Sequence, residues 1–294
     1  MSFSQETKNN LCTISCKKRC CKHAMMYGML LFANTFQGGK IKLITENEKL
    51  SELFSGLMRS LFNVTTDTRV GTRKSGKEVI PNYIISANAQ EPFFKYCKDA
   101  SVINEDVFEC PVCVGSFLRG AFLSGGTITD PMAGYHLEIS TPSNILANSL
   151  CDVMNQNGLM SKVSVRKSRS AVYFKDSELI EDFLTFVGAQ NAALNMMNTK
   201  IMRDIRNNEN RRSNCDAANI FKITGSAKEQ TDAINKLKKS GEFDSLPKDL
   251  KDTAELRLAY PFESLNKLAE MHQPKITKSG VNHRLKKIIE LANK

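Results

Sequence analysis

Two short segments of the chain carry cysteines at spacings that would let their thiolates bind zinc. One segment holds Cys110 and Cys113 in a Cys-x-x-Cys pair. The other, near the start of the chain, is basic and holds four of the nine cysteines, Cys12, Cys16, Cys20 and Cys21. If the segments meet, Cys20, Cys21 and His23 could supply the remaining ligands. Free cysteine is also a small and often buried residue, and only one Cys-x-x-Cys pair is present. We therefore predict no metal and no cofactor, and keep a zinc site in this cysteine set as the alternative.

The last stretch of the chain has the side chains that a DNA-reading helix needs. Residues 277–292 predict a helix that begins at Thr277 and follows a short turn. One face is apolar, with Val281, Leu285, Ile288, Ile289 and Ala292. The other face and the turn supply the candidate DNA-binding residues, Lys275, Thr277, Lys278, Ser279, Asn282, His283, Arg284, Lys286 and Lys287. Asn and Lys can pair with base edges, and Lys and Arg can neutralise phosphates. A solvated charged face would show the same pattern. No catalytic residue is predicted, because His283 has no Ser, Cys or acid cluster at a defined spacing.

An apolar run interrupted by glycines, residues 117–131 (FLRGAFLSGGTITDP), predicts a tightly packed helix. Each glycine inside a helix costs about 1 kcal/mol relative to Ala, so close backbone approach must compensate. Gly120, Phe122 and Gly126 fit the pattern of a LAGLIDADG helix, but its acidic position falls on Gly125. Mg²⁺ would lack a hard oxygen ligand there, which favours a structural role. Asp130 before a proline is interpreted as a turn residue.

Residues 28–100 and 120–189 show the same order of elements, α-β-α-β-β-α, which indicates an internal repeat. In the first copy we predict helices at 24–34, 48–62 and 92–98, and strands at 40–45, 64–70 and 78–87, with a turn at 74–77. In the second copy we predict helices at 114–124, 143–157 and 177–187, and strands at 135–141, 161–167 and 170–175. Two copies that meet at their first helices about a pseudo-twofold axis resemble single-chain LAGLIDADG proteins. In the first copy the acidic position falls on Ala33, so both metal-binding carboxylates are missing.

After residue 188 the composition changes to helical segments without a strand pattern. We predict helices at 189–208, 227–240, 246–258 and 261–271 before the final one, with Phe262 buried. The expected organisation is a LAGLIDADG-like domain at 1–188, a helical linker at 189–224 and a helix-turn-helix domain at 225–294. The fold class is therefore predicted to be α+β.

Charge and length point to a polyanion partner. The net charge is +10, and residues 190–294 carry 20 Lys and Arg against 13 Asp and Glu. A basic excess of this kind favours double-stranded DNA, although a solvated cationic surface is the alternative. No apolar run approaches the roughly 18 residues of a membrane span. We expect a cytoplasmic, nucleoid-associated protein with no membrane partner.

Four sequence stretches in combination resemble the WhiA family. They are MSFSQETK, FLRGAFLSGGTITDP followed by YHLEI, NRRSNCDAANIFK and ITKSGVNHRLKKI. The resemblance implies a degenerate LAGLIDADG domain that no longer cleaves DNA, joined to a DNA-binding helix-turn-helix. It also implies a transcriptional regulator of cell division, chromosome segregation and, where present, sporulation. The cysteine-rich start, beyond Cys20 and Cys21, departs from this resemblance.

Two other classes of function stay open at the level of sequence. One is a DNA-associated scaffold of cell division that binds another regulatory or division protein. The other is a homing-endonuclease descendant with unusual metal ligands, which the missing carboxylates disfavour.

Overall fold

The computed structural model describes residues 1–37, 40–75, 78–88, 101–166 and 169–293, which divide into two units, Met1–Met202 and Arg203–Lys294. In chain order the elements are α1 (Phe3–Thr13), α2 (Arg19–Leu31), β1 (Thr35–Gln37), β2 (Lys40–Thr45), α3 (Glu48–Phe62), β3 (Asp67–Ser75), β4 (Glu78–Asn88), α4 (Cys113–Gly125), β5 (Gly126–Ile128), β6 (Leu137–Thr141), α5 (Asn144–Gln156), β7 (Lys162–Val165), β8 (Ser170–Phe174), α6 (Ser177–Val187), α7 (Gln190–Ser240), α8 (Lys248–Ala259), α9 (Leu265–Met271) and α10 (Lys278–Ala292). The predicted α+β class is confirmed.

The internal repeat is visible in the two antiparallel sheets. Their strand orders are β1-β2-β4-β3 and β5-β6-β8-β7, so each copy has the same topology. The predicted α-β-α-β-β-α order was incomplete, because each first helix is followed by a short extra strand. In the second copy this happens at Gly126, whose backbone is extended and whose register partner is Ile139. The helix predicted at 92–98, and Gly76 and Lys77 of the predicted turn, lie outside the described residues.

Helices α2 and α4 pack against each other through their glycines. A Cβ atom at Gly120 would overlap the carbonyl oxygen of Met25, and one at Gly28 would overlap the carbonyl oxygen of Phe117. The two backbones are therefore in direct contact, which confirms the tight packing predicted from the sequence. Residues Gly115–Leu123 of α4 are all buried, including Arg119. The Nε of Arg119 donates a 2.7 Å hydrogen bond to the carbonyl oxygen of Val187, which satisfies part of this buried charge.

An N-terminal helix that the sequence analysis did not predict, α1, also belongs to the first unit. It begins where the Ser2 hydroxyl accepts a hydrogen bond from the Gln5 amide, an ordinary N-cap. Thr7 and Leu11 are its buried residues. This helix brings Lys8 to the end of α4, as described below.

The second unit is helical, and its core joins the end of α7 to α8, α9 and α10. The core contains Ile234, Leu237, Leu250, Ala254, Leu268, Val281, Leu285 and Ile288. The helices predicted at 189–208 and 227–240 are one continuous helix, because the intervening residues contain no proline and Gly225 alone is a weak breaker.

The helix predicted at 261–271 is shorter, since Ser264 caps it by accepting from the Lys267 amide. Phe262 precedes that cap and is 72% exposed, so its predicted burial was wrong. No helix in the described part of the chain combines the length and apolar composition of a membrane span.

Candidate nucleic-acid interface

The final helix, α10, begins as the sequence predicts. The Thr277 hydroxyl accepts a 3.1 Å hydrogen bond from the Gly280 amide and so caps the helix. Four residues of the predicted apolar stripe, Val281, Leu285, Ile288 and Ala292, are buried, while Ile289 is partly buried against the same core. This packing orients the helix and leaves its opposite face toward solvent.

The predicted DNA-binding residues lie mainly on that solvent face. Those that are exposed are Lys275, Thr277, Lys278, Ser279, His283, Lys286 and Lys287. Lys278, Asn282 and Lys286 follow one another at four-residue spacing, which places them on one side of the helix. The half-buried Asn282 lies in the middle of this row. The face therefore presents an amide flanked by cations, an arrangement able to contact a base edge and neighbouring phosphates.

Arg284 differs from the other candidates because it contacts α8. Its guanidinium donates to the carbonyl oxygen of Asp249 at 3.3 Å and to the Thr253 hydroxyl at 3.4 Å. Its Nε also lies 3.7 Å from a carboxylate oxygen of Asp249. These contacts connect α10 to α8 within the second unit.

His272 and Thr253 complete this polar connection, and neither was predicted from the sequence. Thr253 is buried and its hydroxyl lies 3.3 Å from Nε2 of His272, at the end of α9. Burial, together with the nearby positive charge of Arg284, lowers the pKa of His272 below its usual 6.5. Three helices thus meet at one hydroxyl group. A lone histidine just after a short helix gives no sequence signal for such a role.

Another buried arginine, Arg257 of α8, fixes the segment between α8 and α9. Its guanidinium donates to the carbonyl oxygens of Pro261 and Glu263 at 3.1 and 2.9 Å. These bonds satisfy two backbone carbonyl groups in a segment without regular structure. The turn that precedes the capped start of α9 is therefore set by a side chain from α8.

The end of α4, where a LAGLIDADG helix would hold its acidic residue, carries a cation. Lys8 of α1 donates a 3.0 Å hydrogen bond to the carbonyl oxygen of Leu123, and its ammonium lies 5.7 Å from the centroid of the Phe122 ring. A cation at a helix C-terminus complements the exposed carbonyl groups there. Burial lowers the pKa of Lys8 to about 8. The Lys8 side chain thus lies at the end of α4, where divalent-metal chemistry would need carboxylate ligands.

The cleft beside this lysine is lined mainly by neutral side chains. Among the residues that line it, Glu46 is the one acidic side chain and Lys8 the one basic side chain. The rest are mainly hydroxyl, amide and apolar side chains.

Asp130 accepts a 2.8 Å hydrogen bond from the Met132 amide, which confirms that it is a turn residue.

The two cysteine segments meet, and they bring together part of the predicted set. Sulfur atoms of Cys20, Cys21, Cys110 and Cys113 lie within 4.8 Å of one another. His23 is not a member of this cluster, and its ring packs against that of Phe62 with centroids 5.4 Å apart. The remaining two members, Cys12 and Cys16, also lie outside the cluster; Cys16 lies beside Ser116 and Arg119.

Comparisons with known proteins agree with this architecture. The WhiA LAGLIDADG-like domain matches residues 114–206, and the WhiA C-terminal HTH domain matches residues 210–292. A protein of Ruminiclostridium cellulolyticum named "Probable cell division protein WhiA" is 34% identical over 308 residues, covering 100% of this chain and 98% of that protein. Its namesake in Clostridium tetani is 35% identical over 310 residues, covering 99% and 97%.

A solved structure is similar to the whole chain as well. The crystal structure of full-length DUF199/WhiA from Thermotoga maritima is 26% identical with a TM-score of 0.60 and covers 100% of this chain and 98% of that one.

Proposed function

Because the chain belongs to the WhiA family, we propose that it is a sequence-specific DNA-binding transcriptional regulator of cell division. The proposal extends to chromosome segregation and, in a host that sporulates, to sporulation genes. The observation that carries it is the solvent face of α10, where Asn282 stands between Lys278 and Lys286 on a helix fixed by its buried stripe. The names of the relatives and the helix-turn-helix family match support the same function.

In this proposal α10 enters the major groove, and its residues divide by role. Lys278 and Asn282, near the start of the helix, contact base edges, as the N-terminal residues of recognition helices do. Lys286, Lys287 and Lys275 contact phosphates, and Thr277, Ser279 and His283 add polar contacts. Arg284 acts indirectly by holding the helix on α8 through Asp249 and Thr253.

We propose that the LAGLIDADG-like part no longer cleaves DNA. Gly125 and Ala33 stand at the acidic positions, and the ammonium of Lys8 occupies the end of α4. A fixed cation there repels a divalent metal ion and supplies no ligand to it. The protein is accordingly a binder and not an enzyme.

The proposed organisation keeps residues 225–294 as the DNA-reading module, joined through 189–224 to the LAGLIDADG-like domain at 1–188. By contacts within the chain the division falls at Met202 and Arg203, inside α7. Binding to chromosomal DNA would make the protein nucleoid-associated in the cytoplasm.

A second candidate function is a DNA-associated scaffold that binds another regulatory or division protein. It is favoured by exposed apolar side chains on α7, where Leu194, Met197 and Ile201 are 56%, 39% and 55% exposed. Apolar groups at such spacing on one helix are typical of a surface that a protein partner covers. A scaffold of this kind needs general DNA affinity but no preference for particular sequences.

Genome-wide mapping of binding sites tests the proposal. We expect the wild-type protein to occupy discrete promoter regions, and Asn282→Ala to lose these peaks while retaining diffuse occupancy. Asn235→Ala, which changes an exposed amide on α7, is the matched control and should retain the peaks. Diffuse occupancy by the wild type itself would favour the scaffold function.

A further inference from the structure

We propose that Cys20, Cys21, Cys110 and Cys113 bind a structural Zn²⁺ ion that joins the N-terminal ends of α2 and α4. The site is separate from the proposed DNA interface, because it belongs to the first unit. Two of the cysteines lie in α2 and two lie in or just before α4, so the ion would join the first helices of the two copies of the internal repeat.

The sulfur positions fit a single tetrahedral metal ion. Sγ of Cys110 lies 3.8 Å from that of Cys20, 3.7 Å from that of Cys21 and 3.5 Å from that of Cys113. A tetrahedron with Zn–S bonds of about 2.3 Å has sulfur–sulfur edges of about 3.8 Å. A disulfide would instead require about 2.05 Å between two sulfur atoms. The three sulfur–sulfur distances from Cys110 match this edge length, and all four sulfur atoms lie within 4.8 Å of one another, as ligands of one ion require.

Three of the four sulfur atoms lie at the N-terminal ends of helices. Cys20 and Cys21 lie in the first turn of α2, and Cys113 is the first residue of α4. The positive end of each helix dipole stabilises a negative sulfur at these positions. Lys18 and Arg19 directly precede Cys20 in the chain, so positive charges accompany the net negative charge that a Zn(Cys)₄ centre would carry.

The Cys-x-x-Cys pair is already folded around its sulfur atoms. The Cys113 amide donates a 2.9 Å hydrogen bond to the carbonyl oxygen of Cys110, which closes a tight turn. Cys21 and Cys113 are buried while Cys20 and Cys110 are half-buried, so the site is shielded yet accessible to an entering ion.

The location gives the ion a structural function. Helices α2 and α4 form the contact between the repeats, with their backbones touching at Gly28 and Gly120. Four thiolates leave no open coordination position, which is typical of structural and not catalytic zinc. Bound zinc would therefore stabilise the helix pair against separation, and its removal would destabilise the folded chain.

Metal analysis of the full chain tests the site. Protein purified under reducing conditions without chelators should contain about one zinc ion per chain. Cys20→Ser and Cys110→Ser, at half-buried positions, should each lose most of it. The matched control is Cys151→Ser, which changes a half-buried cysteine of α5 outside the cluster and should retain the full content. Wild-type protein without zinc, iron in place of zinc, or equal loss in the Cys151→Ser control would overturn the proposal.

Spectroscopy of the wild type keeps the test independent of how the variants fold. Chelator-stripped protein titrated with Co²⁺ should develop the visible absorption of tetrahedral thiolate coordination, saturating at about one equivalent. Zinc should then displace cobalt, and the melting temperature should fall on stripping and recover on zinc addition. Absence of the thiolate spectrum, or a disulfide found by mass spectrometry between cluster cysteines in the freshly isolated protein, would contradict the assignment.

Discussion

Replacing Gly120 with alanine should separate the two central helices. A Cβ atom at this position would meet the carbonyl oxygen of Met25 and would lie 3.0 Å from the Met29 amide nitrogen, both of them backbone atoms. Backbone atoms cannot rotate away as a flexible side chain can, so the helices must move apart. Overpacking of this kind costs about 1 to 3 kcal/mol, and the lost contacts along the interface add to it. The higher helix propensity of alanine offsets only about 1 kcal/mol.

The matched control is Gly56→Ala on α3. A Cβ atom there would have no heavy atom within 4 Å, so only the propensity effect applies. We expect Gly56→Ala to raise the free energy of unfolding by up to about 1 kcal/mol and Gly120→Ala to lower it by about 2 kcal/mol or more.

Urea denaturation followed by far-ultraviolet circular dichroism, with calorimetry to resolve the two units, measures both changes. If Gly120→Ala were as stable as the wild type, or if both variants lost stability equally, the inferred contact between α2 and α4 would be refuted.

Three further predictions follow from the side chains described above. Burial and the nearby Arg284 hold the pKa of His272 below 6.5 in the folded chain. Below pH 6.5 the unfolded chain therefore binds more protons than the folded chain. The free energy of unfolding of the second unit should fall as the pH drops through 6.5. Histidine proton titration by NMR, assigned with His272→Gln, checks this, and a midpoint at or above 6.5 would contradict it. Arg284→Ala should destabilise the second unit by about 1 to 3 kcal/mol, because it removes the hydrogen bonds that join α10 to Asp249 and Thr253 of α8. Lys286→Ala should change stability by less than about 0.5 kcal/mol. Purified protein with Mg²⁺ or Mn²⁺ should leave duplex DNA intact. A metal-dependent cleavage activity that co-purifies with the protein, and that is altered by the Lys8→Ala substitution, would show that a nuclease site persists.

The features predictable from the sequence were those set by local pattern. The stripe at Val281, Leu285 and Ile288 repeats at helical spacing, so its burial follows from the helix period alone. Gly120 was predictable because a glycine within an apolar helix needs a packing reason. The repeat could be read because both copies keep the same order of elements.

The remaining features depend on contacts between segments far apart in the chain. Lys8 and Leu123 are 115 residues apart, so the sequence around either residue does not predict their hydrogen bond. Cys20 and Cys110 are 90 residues apart and could be brought together only by the packing of α2 on α4. The contacts of Arg284 with Asp249 and Thr253 could not be predicted, because those partners lie on another helix.

Sequence-specific DNA reading by α10 is tested most directly by titrating the full chain with a mapped target duplex and a scrambled duplex at several salt concentrations. We expect Asn282→Ala to reduce the discrimination between the two duplexes by about 1 to 3 kcal/mol, as loss of a bidentate base contact would. Lys287→Ala should weaken binding to both duplexes alike and lower the salt slope by about one unit, as loss of a phosphate contact would. Asn235→Ala and Lys236→Ala, at exposed positions of α7, should change neither quantity. If both α10 variants bound both duplexes as the wild type does, and deletion of residues 190–294 also left binding intact, the assignment of DNA reading to α10 would be wrong.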